Sequence, residues 1–120
     1  MSKEKRILII DDEEGIRESF KLILSDFYHL TFASNAEEAD DKLSKDSFNL
    51  VLLDIKMPRM NGLEYLKKIK KAKPSLPVII VTGYQSVETA QEAAKNGANE
   101  YIPKPFDSKH ILEAVKKQLA

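Results

Sequence analysis

The feature that most constrains this chain is an alternation sustained from one end to the other. Short runs rich in leucine and β-branched residues occur at Arg6 to Ile10, His29 to Ala33, Leu50 to Leu53, Val78 to Thr82 and Glu100 to Ile102. Their near-continuous apolar character suits strands buried on both faces. Between and after them, apolar residues recur at helical spacing: Ile16, Phe20, Ile23 and Leu24, then Ala36, Ala39 and Leu43, then Leu63, Leu66 and Ile69. Val87, Ala90 and Ala94 continue the pattern, as do Ile111, Val115 and Leu119. Asn35, Ser86 and Asp107 stand where helix N-caps belong, Glu38 is a capping-box partner for Asn35, and Gly97 sits where the fourth helix stops.

Strict alternation of strand and helix implies a parallel sheet with right-handed crossovers and helices on both faces. The expected fold is a doubly wound α/β domain: a five-stranded parallel sheet, order 2-1-3-4-5, with five flanking helices. In that order, ligands bind beyond the carboxyl ends of the strands, where strands one and three diverge. No repeat or linker interrupts the pattern, so residues 1–120 read as a single domain. A composition of 42% hydrophobic and 32% charged residues excludes a disordered chain. Basic and acidic residues number 19 each, which removes any general attraction to nucleic acid or membrane and makes local charge the thing to examine. The absence of cysteine excludes disulfides and thiolate metal sites. The opening "MSKEKR" leads into an apolar run far too short to span a bilayer, so a cytoplasmic setting is expected.

The carboxyl ends of the strands carry the chemistry. The first ends in Asp11 and Asp12, the third in Asp54 and the fourth in Thr82; Lys104 follows the fifth, and the second offers only Ser34. Strands one and three are neighbours in the expected order, so the carboxylates converge although more than forty residues separate them in sequence. Two like charges ~4 Å apart repel by about 4 kcal/mol at an effective dielectric of 20, so three carboxylates in one cleft need a cation. A hard divalent ion with oxygen ligands, Mg²⁺ first, meets that need, and Lys104 supplies a second positive element suited to a phosphoryl oxygen. Glu13 and Glu14 are placed in the first turn of helix one, where acids favour the helix dipole. Taken singly, Asp12 reads as an N-cap, Asp54 as a loop acid, Thr82 as a strand residue and Lys104 as a solvated cation; their joint placement argues for a site. Aspartate can hold a phosphoryl group as an acyl phosphate, and Asp54, the lone acid at its strand end, is the expected nucleophile. His29 falls in a strand and His110 in the fifth helix, so neither is expected to act as a base.

The segments "ILIIDDEE", "LVLLDIKMPRMNGLE", "VIIVTGY" and "YIPKPF" resemble, in order, the motifs of the receiver domain of two-component response regulators. The resemblance covers nearly the whole chain. It implies that Asp54 accepts phosphate from a phosphohistidine on a sensor histidine kinase or phosphotransfer protein. Asp12 would bind Mg²⁺ directly, Asp11 through water, and Lys56 through its backbone carbonyl. Thr82 would hydrogen-bond the phosphoryl group, Lys104 would pair with it, and Tyr101 would be the switch aromatic, altering the surface of the fourth helix, fifth strand and fifth helix toward an output domain or partner protein. A cis peptide between Lys104 and Pro105 is implied as well. Such a domain signals rather than turning over a substrate, assisting only its own phosphorylation and slow dephosphorylation.

Lys56 and Tyr84 flank the acceptor and bear on the lifetime of the acyl phosphate; the bulk of Tyr84 leads us to expect slow self-dephosphorylation. Ile16 and Phe106 are candidates for docking a kinase helix. The stretch from Val81 to Phe106 looks most like receivers of nitrogen-regulator-type activators, which favours a domain excised from a longer regulator over a stand-alone relay protein. Direct nucleic-acid binding is not expected of the domain, while a phosphorylation-dependent dimer is compatible with it. An aspartyl phosphohydrolase would place Asp-x-Asp after the first strand, whereas here the acids are adjacent. A flavin-binding module would need a glycine- and hydroxyl-rich cradle in place of "DDEEG". The remaining alternative is a receiver-like module that works by protein contacts without phosphate.

Overall fold

The computed structural model describes residues 4–84 and 86–120. Five strands, β1 (Arg6–Ile10), β2 (His29–Ala33), β3 (Leu50–Leu53), β6 (Val78–Thr82) and β7 (Glu100–Pro103), form one parallel sheet in the order β2-β1-β3-β6-β7. This is the expected 2-1-3-4-5 order. A separate antiparallel ribbon joins β4 (Lys56–Met57) to β5 (Met60–Asn61). The helices are α1 (Glu14–Leu24), α2 (Ala36–Lys45), α3 (Gly62–Ala72), α4 (Val87–Lys95) and α5 (Ser108–Leu119).

The alternation of side chains along each strand divides the core into two layers. Leu8, Ile10, Val51, Leu53, Val78 and Ile80 face one way, against Ala39 of α2, Leu66 and Ile69 of α3 and Ala93 of α4. Ile7, Ile9, Leu50, Leu52, Ile79 and Val81 face the other way, against Phe20 and Leu24 of α1 and Ile111 and Val115 of α5. Both layers are apolar, so Ile7 to Ile10, Leu50 to Leu53 and Val78 to Val81 run without a polar residue before the strands emerge at their carboxyl ends.

Helix ends follow the side chains that cap them. Asn35 accepts from the Glu38 amide, Ser86 from that of Thr89 and Asp107 from that of Lys109, as the sequence predicts. Asn61 caps α3 in the same way, accepting from both Leu63 and Glu64. The other half of the expected capping box is displaced by one residue. Glu38 Oε1 takes the amide of Ser34 at 2.7 Å and its hydroxyl at 2.8 Å.

The helix α4 corrects the apolar stripe read from the sequence. Ala93 is the residue buried against the sheet, whereas Ala94 is exposed and Val87 is 75% exposed. Ala93 and Ala94 are adjacent and identical, and either continues the spacing from Ala90, so spacing alone cannot choose between them. The ribbon β4-β5 was also illegible, each strand being two residues long. It turns through Arg59, whose φ of 60° lies in the left-handed region, and returns the chain to Gly62. There the Gly62 amide donates to the Ile55 carbonyl at 3.2 Å, and a Cβ on Gly62 would stand 2.1 Å from the Ile55 Cα. A backbone atom cannot yield as a side chain does. Gly62→Ala is therefore expected to lower the free energy of unfolding by about 3 kcal/mol, the upper end of overpacking costs, measured as a fall in the urea midpoint at unchanged slope.

Candidate functional site

The parallel register places the acids. Ile10 pairs with Leu53 across the ladder, and the next amide, that of Asp54, still donates to the Ile10 carbonyl at 3.0 Å. Asp11 likewise donates its amide to Ala33 on the other side. Both residues leave the sheet at the same height, the Asp11 side chain only 2% exposed and that of Asp54 4%. Carboxylate oxygens of Asp11, Asp12, Glu13 and Asp54 lie within 4.8 Å of one another. Lys104 reaches this group from β7. Its amide donates to the Thr82 carbonyl at 2.9 Å, and the peptide to Pro105 is cis, as expected.

Each buried carboxylate is held at two points. One oxygen of Asp11 accepts from the Glu13 amide at 2.9 Å, and one oxygen of Asp54 accepts from the Lys56 amide at 3.0 Å. The second oxygen of each faces Lys104, whose Nζ lies 2.8 Å from Asp11 and 3.0 Å from Asp54. Burial raises the pKa of Asp11, and the bonds from Lys104 and the Glu13 amide only partly offset it. For Lys104, burial works against the charge, but hydrogen bonds to Asp11, Glu13 and Asp54 outweigh it, and the pKa rises. The ammonium is thus locked in its charged form.

The structure differs from the sequence reading at Glu13. The helix α1 begins at Glu14, leaving Glu13 as an extended N-cap residue whose side chain caps nothing. Instead its carboxylate contacts Lys104 at 2.9 Å. The available signal was its place two residues after Asp11, where an Asx-type turn, not a helix, carries the chain. Arg17 also escaped the sequence reading; its Nη1 donates to the Asp11 carbonyl at 2.7 Å and ties α1 to the strand end.

Of the other expected residues, Asp12 is exposed at the mouth of the cluster and is not the N-cap. Thr82 is fully buried, its hydroxyl accepting from the Tyr84 amide at 3.2 Å. Tyr101 is half-buried and donates its hydroxyl to the Tyr84 carbonyl. The side chain of Lys56 is exposed and lies over the Tyr84 ring, with Nζ 5.3 Å from the centroid. Phe106 stacks on Phe20 at 4.9 Å, and Ile16 packs on the same layer, so both are half-buried and partly committed to the core. His29 and His110 are exposed, His29 at the opposite end of the sheet and His110 in the first turn of α5. Among the described residues, no helix is long and apolar enough to cross a membrane.

Residues 7–116 match the family described as Response regulator receiver domain. The transcriptional regulatory protein ZraR of Klebsiella oxytoca is 40% identical over 115 residues, covering 95% of this chain and 26% of that protein. Sporulation initiation phosphotransferase F of Bacillus subtilis is 40% identical over 116 residues, 96% of this chain and 94% of that protein. Among solved structures, a CheY-like response regulator receiver domain protein from Methanospirillum hungatei JF-1 superposes with a TM-score of 0.91 at 42% identity, covering 96% of this chain and 93% of that one. NtrX from Brucella abortus superposes with a TM-score of 0.89 at 36% identity, over 95% of this chain and 26% of that one. The chain therefore spans only 26% of the length of ZraR and NtrX.

The raised pKa of Asp11 carries a sign. Folding holds its proton more tightly than the unfolded chain does, so this carboxyl costs stability as pH rises above its ordinary value of 3.8 and costs nothing well below it. Asp11→Asn is expected to stabilise the protein without added metal at pH 7, with the gain vanishing in acid, read from urea unfolding at several pH values.

Proposed function

The chain belongs to the response regulator receiver domain family, and on that premise we propose that residues 1–120 form one receiver domain that takes a phosphoryl group from phosphohistidine onto Asp54. The observation that supports this most directly is the Lys104 ammonium 3.0 Å from Oδ2 of a buried Asp54, beside the equally buried Asp11. With Oδ1 held by the Lys56 amide, Oδ2, the oxygen that faces Lys104, is the one placed to attack. It forms the new O–P bond as the P–N bond to the donor imidazole breaks, and the imidazole carries away the electron pair. Lys104 then pairs with a phosphoryl oxygen, and the Thr82 hydroxyl turns from the Tyr84 amide to donate to another. Asp11, Asp12 and Asp54, grouped with Glu13, offer an oxygen-only donor set that fits a hard divalent cation, and the family resemblance adds the Lys56 carbonyl to it. Mg²⁺ bound there would offset the negative charge shared by these carboxylates and the phosphoryl oxygens.

The output follows from the backbone of Tyr84, which contacts both Thr82 and Tyr101. Drawing Thr82 toward the phosphoryl group releases the first contact and frees Tyr101 to turn inward. Tyr101 lines a groove with Ser86, Val87, Ala90 and Pro103, so its movement reshapes the surface of α4, β7 and α5. That surface is the one offered to an output domain or downstream protein, and to a second copy where phosphorylation drives dimerisation. A sensor histidine kinase or histidine phosphotransfer protein supplies the phosphate and docks near Ile16 and Phe106. The domain works in the cytoplasm without touching nucleic acid itself.

Lys56 stacked on Tyr84 stands beside the acceptor and narrows the approach of water, which gives a long-lived acyl phosphate. Incubation with Mg²⁺ and acetyl phosphate is expected to add one phosphoryl group by intact mass, abolished by EDTA and by Asp54→Asn. Wild type that gains nothing would leave a module working by protein contacts alone. Tyr84→Ala is expected to speed loss of the phosphoryl group about tenfold, equivalent to about 1.4 kcal/mol of barrier, followed by the same mass measurement over time.

A further inference from the structure

An ammonium carries three N–H donors. Lys104 meets three carboxylates at nearly equal distance, Asp11 at 2.8 Å, Glu13 at 2.9 Å and Asp54 at 3.0 Å. The three are not equivalent in their surroundings. Asp11 and Asp54 are buried and each is pinned through its other oxygen by a backbone amide. The Glu13 side chain is 59% exposed and makes no cap. Releasing Glu13 returns an exposed carboxylate to water at little cost and leaves Lys104 in the cleft, while a buried carboxylate left without its cation is expensive. When Lys104 must find a donor for an incoming anion, Glu13 is the contact it gives up.

We propose that Glu13 is a positioning residue: it occupies the third N–H of Lys104 until a phosphoryl oxygen takes its place. The inference rests on the receiver reading, because it concerns how the same lysine is handed from one anion to another. Glu13 keeps Lys104 directed into the cleft, and it also sets a threshold, since the incoming group must displace a carboxylate as well as bind. The threshold applies to arrival only. Once the phosphoryl group holds the ammonium, Glu13 has no further hold on the lysine, and departure of the group is independent of it.

This asymmetry makes the test. Phosphorylation by acetyl phosphate is measured at saturating Mg²⁺ for wild type, Glu13→Gln and Glu14→Gln, and loss of the phosphoryl group is followed for each after the donor is removed. A binding readout runs in parallel: the concentration of beryllium trifluoride, a phosphoryl mimic, that gives half the full change in tyrosine fluorescence. Glu13→Gln is expected to phosphorylate about threefold to tenfold faster and to bind beryllium trifluoride correspondingly more tightly, with unchanged loss. Glu14→Gln, which removes the same charge one residue further on, is expected to match wild type throughout. Equal gains in both variants would mean that only the general field matters and would overturn the proposal. So would Glu13→Gln behaving as wild type, or accelerating loss as much as gain. Failure of wild type itself to be phosphorylated or to bind the mimic would instead overturn the receiver reading on which the proposal stands.

Discussion

Two carboxylates buried side by side can persist in a folded protein only if something positive is held between them, and here one lysine does so. The architecture is arranged to deliver that contact. The ladder from β1 to β3 runs one residue past the strand ends, aligning Asp11 with Asp54, and the ladder from β6 to β7 does the same for Lys104. A one-residue slip in either register would send a side chain to the opposite face of the sheet. The packed layers on the two faces forbid such a slip, because each central strand is apolar on both sides and has no polar alternative to offer. The strength of the core and the precision of the site are therefore one constraint seen at two places.

That connection explains why so much was readable in advance. The five sheet strands, their order, and the convergence of Asp11, Asp12, Asp54, Thr82 and Lys104 follow from where apolar runs stop and polar residues begin. Caps at Asn35, Ser86 and Asp107 were equally visible, because a side-chain acceptor before a helix is a local event. The illegible parts depend on something other than periodicity. In α4, a surplus of alanines erased the difference between faces, so Ala93 could not be told from Ala94. The ribbon around Arg59 is too short to have a period at all.

Glu13 was missed for a different reason. Four successive acids invite a single electrostatic account, and the helix dipole supplies one that is correct for Glu14. The boundary of α1 separates the two residues, and boundaries are set by hydrogen bonds that composition does not reveal. The Asp11 side chain captures the Glu13 amide, keeps that residue extended and turns its carboxylate toward Lys104. A single bond to the main chain thus reassigns a neighbouring side chain from the helix to the cleft.

The contacts of Tyr84 have a further consequence. Its amide meets the Thr82 hydroxyl and its carbonyl meets the Tyr101 hydroxyl, while its ring lies under Lys56. The first two belong to the main chain, which any residue except proline supplies in full. The third belongs to the side chain alone. Under the proposed function, transmission and timing are thus written in separate alphabets at one position, so that a change of side chain would retune how long a message lasts without touching the wire that carries it.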